Sequence, residues 1–193
     1  LSIVNCGLGR ALLKSTKLAA AATVLFAVAD TCTAQVKMTK EEALETYFPA
    51  AQIERATAFL TDDQVHEIQQ RSRSRVESHV LTYYMARKDG RFVGTAFFET
   101  QTVRTMPATY MVIVDPDTTI RAVEVMAFFE PEDYLPQSKW LGQFAAKGPA
   151  DDLWLKRGIQ NISGASLTAQ ALTEGVRRLL ASYQIVVAPK VRS

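Results

Sequence analysis

Beyond its first 34 positions the 193-residue chain contains no cysteine; Cys6 and Cys32 both precede Gln35. That part of the chain can form no disulfide, no thiolate metal site and no cysteine nucleophile. Imidazole is scarce as well. His66 and His79 are its two histidines, which argues against a multi-histidine metal centre. Net charge is small, +2, too little for an electrostatic claim on nucleic acid. No Gly-x-Gly-x-x-Gly strand–helix unit is present, so a dinucleotide site of the Rossmann type is not expected. Internal repeats, Ser/Gly linkers and low-complexity tracts are also missing. A general base, a nucleophilic triad and a hydride-donor site are equally invisible. What the chain does have is apolar residues, 48% of the total, enough to exclude disorder and to fill the core of one domain.

The N-terminus stands apart in composition. Arg10, Lys14 and Lys17 precede the uncharged run Leu18 to Ala29, 12 residues long. A membrane-spanning helix needs about 20 residues, whereas the apolar region of a signal peptide needs about 7–15. Small residues follow, ending Cys32-Thr33-Ala34. Residues 1–34 therefore read as an export signal, cleaved after Ala34 or retained as an anchor; a buried core helix would have the same composition. Asp30-Thr31 before Cys32 speaks against lipoprotein processing. Setting 1–34 aside leaves residues 35–193 as a single domain whose formal charges balance.

Local patterns along that domain divide it into helices first and strands after. Thr39-Lys40-Glu41-Glu42 and Thr61-Asp62-Asp63-Gln64 are capping boxes. The first opens a short helix that stops before Pro49. Ala50 to Leu60 is expected as a turn or two of helix. The second box opens a helix with Val65 and Ile68 on one face, fading in Arg71-Ser72-Arg73-Ser74-Arg75. That basic run reads as a solvated face or as a phosphate or membrane-surface patch. Residues 78–87 and 92–99 flank Lys88-Asp89-Gly90-Arg91, a β-hairpin signal. Thr109 to Val114 and Ile120 to Phe129 supply two more strands around an Asp115-Pro116-Asp117 turn. In the latter, Val123, Val125, Ala127 and Phe129 share one face at period two. Gly94 inside a strand marks a bulge or a close approach to a ligand. Trp140, Leu141 and Phe144 then fall at helical spacing. Leu172, Val176, Leu179, Leu180 and Tyr183 form the apolar stripe of a helix that begins after Gly164. Gln184 to Ala188 reads as a last short strand. Strands joined by short turns pair antiparallel, so the fold class is α+β, a mostly antiparallel sheet with flanking helices.

The chemistry concentrates in Ser163-Gly164-Ala165-Ser166-Leu167-Thr168, at the start of that last helix. A helix N-terminus carries N–H groups without intrahelical partners and a partial positive charge, a combination that favours phosphate. Gly164 and Ala165 allow close backbone approach, and Ser163, Ser166 and Thr168 can donate to oxygen. Capping alone would account for the same residues.

This hexapeptide resembles the Ser/Thr-Gly-Ala-Thr/Ser-x-Thr/Ser flavinylation motif of the FMN-binding domain family. That family includes the FMN-carrying C subunit of sodium-pumping NADH:quinone reductase and the G subunit of the Rnf electron-transport complex. Thr105-Met106-Pro107, Glu130-Pro131-Glu132-Asp133-Tyr134-Leu135-Pro136, Lys139-Trp140-Leu141-Gly142-Gln143-Phe144 and Ile159 through Leu180 resemble the exported members. The resemblance spans roughly 90–184. It implies an FMN cofactor joined through a phosphodiester to Ser166 by a flavin transferase. Ser163, Gly164, Ala165, Leu167 and Thr168 would surround the phosphate; Glu130, Tyr134, Trp140, Leu167 and Thr105 would lie near the ring. It further implies an electron carrier with a membrane-bound or periplasmic redox partner, located in the periplasm or on the outer face of the cytoplasmic membrane. Two departures from the family pattern matter. Gln160 stands where an Asp is usual, six residues before the acceptor, which favours non-covalent or vestigial FMN binding as the alternative. Pro131 directly follows Glu130, and the glycine of the corresponding family loop is missing. An extracytoplasmic FMN-dependent reductase is a further alternative.

Overall fold

The structure, a computed structural model, describes residues 35–192; the expected export signal at 1–34 lies outside the described residues. A six-stranded antiparallel sheet runs in the order β1-β6-β5-β4-β3-β2. Its strands are β1 (Gln35–Val36), β2 (Gln52–Phe59), β3 (Val80–Lys88), β4 (Arg91–Thr102), β5 (Pro107–Val114) and β6 (Ile120–Phe128). The helices are α1 (Lys40–Tyr47), α2 (Asp62–Ser72), α3 (Ser138–Leu141), α4 (Ser166–Ser182) and α5 (Ala188–Arg192). The α+β class and the antiparallel sheet read from the sequence are what the chain adopts. Among the described residues no helix is long and apolar enough to cross a membrane.

Both capping boxes form. Thr39 Oγ1 accepts the Glu42 N–H (3.2 Å) while Glu42 Oε2 accepts the Thr39 N–H (2.8 Å). Thr61 and Gln64 exchange the same pair at 3.2 and 3.1 Å. Each box satisfies two N-terminal donors and fixes where the chain enters the helix. Helix α2 ends at Ser72 with Arg73 in a left-handed cap (φ 51°), inside the basic run where its end was expected. Within that run Arg71 pairs with Glu67 one turn back, and Arg73 and Arg75 face solvent.

Sheet burial explains the layering. Alternate residues of β5 enter different cores: Tyr110, Val112 and Val114 pack on the side of α2 and α4, whereas Met111 and Ile113 pack with Ala43, Leu44 and Phe48 from α1. A strand buried on both faces is central, and β5 is flanked by β4 and β6. The larger core receives Leu172, Val176, Leu179 and Leu180 from α4, followed by Tyr183. Burial of one such side chain contributes about 1.5–3 kcal/mol, so this stripe holds α4 firmly on the sheet.

Three expectations are corrected. Ala50 to Leu60 is strand, not helix: Gln52↔Arg87 through Phe59↔Val80 pair along the whole of β2. Ala50 leaves α1 with φ 59°, and pairing to the hairpin overrides the helix preference of Gln, Glu, Arg and Ala in an edge strand. Gln184 to Ala188 is not strand. Residues Tyr183–Val187 form a π-helical turn leading into α5. Pro189 donates no N–H and its ring crowds the preceding turn, which suits a widened turn. Finally, register shifts interrupt the β5–β6 ladder between Thr109 and Tyr110. The alternation of Val123 and Val125 is lost at that point, so Phe128 rather than Phe129 enters the larger core.

Gly94 sits beside a bulge, and the close approach there is to the chain itself, not to a ligand. The β3–β4 register shifts between Ala86 and Arg87, beside Gly94. A Cβ there would lie 3.0 Å from the Phe48 ring and 3.2 Å from Arg121 Nη2, on a backbone at φ 146°. The close approach is to the protein's own side chains.

Candidate functional site

The segment before α4 is built as a tight turn. The Ala165 N–H donates to Ile162 O (3.1 Å), and Gly164 adopts φ 81°, the positive value required at the third turn position. A Cβ at Gly164 would meet nothing within 4 Å. Backbone conformation, not crowding, is therefore what calls for glycine, and open space lies beside it. Ser163, Gly164, Ser166 and Leu167 are exposed, Leu167 at 52%; Ala165 and Thr168 are buried.

Ala165 is the N-cap residue of α4 and supplies no side-chain hydrogen bond. The first ladder bond is Ala169 N–H to Ala165 O (3.0 Å). The N–H groups of Ser166, Leu167 and Thr168 thus precede the ladder with no capping oxygen, at the positive end of a 17-residue helix. Thr168 adds a second feature. Its Oγ1 is fully buried and has no hydrogen-bond partner, an arrangement that costs roughly 1–3 kcal/mol unless something fills it.

Ser166 Oγ accepts a hydrogen bond from Asn161 Nδ2 (2.8 Å). The amide fixes the hydroxyl but is no base, so this bond does not activate Ser166 as a nucleophile. The stem of the turn is clamped on both backbone groups of Gln160. Its carbonyl accepts the Trp140 indole N–H (2.7 Å) and its N–H donates to Gln143 Oε1 (2.9 Å). Trp140 is in turn fixed edge-on against Phe144, with ring centroids 5.4 Å apart. Trp140 and Phe144 therefore pack in the core, and Trp140 acts on the turn through Gln160.

Glu130 is buried and gathers a second loop. Its Oε1 accepts the N–H groups of Thr105 (2.7 Å), Met106 (2.9 Å) and Arg104 (3.2 Å), and the Thr105 hydroxyl at 3.3 Å. These donors, the Thr105 N–H foremost, hold its carboxyl below the usual range against the opposing effect of burial. Tyr134, half-buried on a 3₁₀ turn at Glu132–Tyr134, stacks with the Arg104 guanidinium 4.3 Å from its ring centre. Thr105, Glu130 and Tyr134 thus form one assembly with Arg104; Trp140 belongs with the turn before α4; Leu167 stands exposed beside Ser166.

Gln143 and Asn161 were not among the residues singled out from the sequence as cofactor contacts. Asn161 lies five residues before Ser166, within the stretch Ile159 through Leu180. Gln143 reaches the turn across 17 residues, and nothing local signals that contact.

An uncapped, exposed helix start preceded by a glycine turn is the kind of arrangement that favours an anion such as phosphate. Residues 105–181 match the family model of the FMN-binding domain. That span runs from the Glu130-bound Thr105 loop through most of α4, and over it the chain is similar to FMN-binding domains, a likeness that suggests a flavin-binding redox module. No curated protein matches the chain.

Proposed function

We propose that the protein is an exported flavoprotein that carries FMN on Ser166 and shuttles electrons. The observation that carries this reading is the uncapped start of α4, where the exposed Ser166 opens a helix whose first N–H groups have no capping oxygen, with Thr168 two residues on holding a buried hydroxyl that has no partner. The residues fit the group. The phosphate would take the N–H groups of Ser166, Leu167 and Thr168, Ser163 would add a donor, and Gly164 leaves room for the chain beyond. A flavin transferase would direct Ser166 Oγ onto the pyrophosphate of FAD. An oxygen–phosphorus bond forms, AMP leaves and the hydroxyl proton is released. Bound in this way, the flavin supplies one- and two-electron redox chemistry, while the protein sets its exposure and local charge. A membrane-bound or periplasmic partner would exchange electrons with it.

One observation favours non-covalent FMN instead. Gln160 occupies the position of the usual acid, and the group hydrogen-bonded to Ser166 is the Asn161 amide. Co-expression with a flavin transferase separates the two readings. Covalent attachment gives a fluorescent band on a denaturing gel that disappears in Ser166→Ala. A yellow protein that releases all its FMN on denaturation supports the second reading, and a protein that takes up no flavin in either form refutes both.

A further inference from the structure

Arg177 is 8% exposed, on the buried side of α4. A buried charge is as a rule paired, yet none of the ion pairs among the described residues includes Arg177. Its Nε donates to the Ser72 carbonyl (2.9 Å) and its Nη1 to the Leu153 carbonyl (3.2 Å). The guanidinium lies over the Trp154 ring, 3.8 Å from its centre. Stacking of this kind uses the flat face of the group and leaves its N–H edge available. A guanidinium carries five N–H donors. Two are used here, and Nη2 donates to no described residue. Burial pulls the Arg177 pKa below its ordinary value, against the opposing effect of the Glu174 carboxylate, as expected of a cation only partly compensated.

Arg177 borders a cavity of about 370 Å³, within the size range of small-molecule sites. Leu180 and Gln184 line it with Arg177, three and seven residues farther on and so on one helical face. Gln184 belongs to the π-helical turn that follows α4. Arg71 joins from α2, and Asp151 and Trp154 from the loop between α3 and α4. Two guanidiniums against one carboxylate leave an excess of one positive charge. The Asp151 carboxylate accepts the Gly148 N–H (2.7 Å) and forms no ion pair with Arg177, while Arg71 pairs with Glu67. Leu180 and Trp154 give the cavity an apolar wall. A ligand that suits it has one negative charge and an apolar body. A carboxylate matches the planar N–H fork in two-point fashion. A phosphate, with more than one charge near neutral pH, would be opposed by Asp151 and would leave the apolar wall uncovered.

We infer that this cavity binds a small organic monocarboxylate, held by the free N–H edge of Arg177 with Arg71 beside it. The site is separate from the start of α4, since the helix advances about 16 Å from Ser166 to Arg177, and it does not depend on the flavin reading.

The test titrates benzoate into the full chain by calorimetry, with benzamide as the uncharged isostere and inorganic phosphate as a competitor. Benzoate should bind saturably and roughly tenfold or more tighter than benzamide, the difference a charged hydrogen bond supplies. Gln184→Glu adds a carboxylate to the wall with almost no change of size, and should weaken benzoate about tenfold through like-charge repulsion. Asp151→Asn, at an exposed position, keeps a carbonyl oxygen for the Gly148 N–H and should tighten benzoate several-fold. No saturable binding of benzoate, equal affinity for benzamide, or an affinity unmoved by both substitutions overturns the assignment and leaves Arg177 as a clamp between α2 and the Leu153 loop. Phosphate that displaces benzoate at a lower concentration than benzoate itself needs overturns the monocarboxylate. None of these readouts involves flavin, so failure here is distinguishable from failure of the FMN reading.

Discussion

Among the described helices of eight residues or more, two starts are closed and one is open. Helices α1 and α2 begin with reciprocal Thr–Glu and Thr–Gln boxes; α4, the longest helix, begins at Ala165 with no side-chain cap. The difference is not one of packing, since α4 carries the larger buried stripe. A cap satisfies donors from within, and its absence leaves them for a ligand. On the proposed flavin reading, stability and binding are thereby separated by position. Threonines close the helices that only support the sheet, and small residues leave open the one that presents Ser166.

That contrast can be broken in order of expected effect. Replacing Ser166 by Ala should remove all covalently held flavin, read by fluorescence of the denatured chain, with little change in the melting of the flavin-free protein. Loss of stability in proportion to loss of flavin would make Ser166 a structural residue instead. Truncating Leu172, fully buried beneath the same helix, should cost about 2–5 kcal/mol in denaturant unfolding; a smaller cost would mean that α4 is held elsewhere. Thr39→Ala and Thr61→Ala should each cost about 1 kcal/mol and leave flavin attachment unchanged. If either altered the flavin, the separation of roles would fail.

A smaller effect concerns the Thr105 loop. Glu130 has a folded pKa below its ordinary value of 4.5. It therefore contributes stability that is present above about pH 4.5 and lost as pH falls through the lower folded value. Glu130→Gln should flatten that part of the acid-unfolding curve. An identical curve would show that the backbone donors of Thr105 and Met106 gain nothing from its charge.

How much of this was legible in the sequence depended on whether the signal was local. Thr39, Thr61 and the Asp89-Gly90 turn announce themselves because their partners lie within four residues. The stripe from Leu172 to Tyr183 announces itself because burial repeats with the helix. The Ser163–Thr168 segment was readable as a glycine turn that opens a helix, and its open cap follows from Ala165. The failures are long-range. Residues 52–59 become a strand because β3 offers a full-length partner, and Phe128 displaces Phe129 because a bulge forms against β5. The clamp on Gln160 by Trp140 and Gln143, and the Glu130 cradle for Arg104 to Met106, join segments many residues apart. Arg178 and Glu99 meet across 79 positions. None of these pairings leaves a periodic trace.

Peptide mass spectrometry of the full chain, matured with its flavin transferase, tests the central claim most directly. The flavin reading expects a single FMN phosphodiester on the peptide that contains Ser163 to Thr168, with fragmentation placing the added mass on Ser166. Attachment to any other residue, or an unmodified peptide from a protein that remains yellow and redox-active, would contradict it.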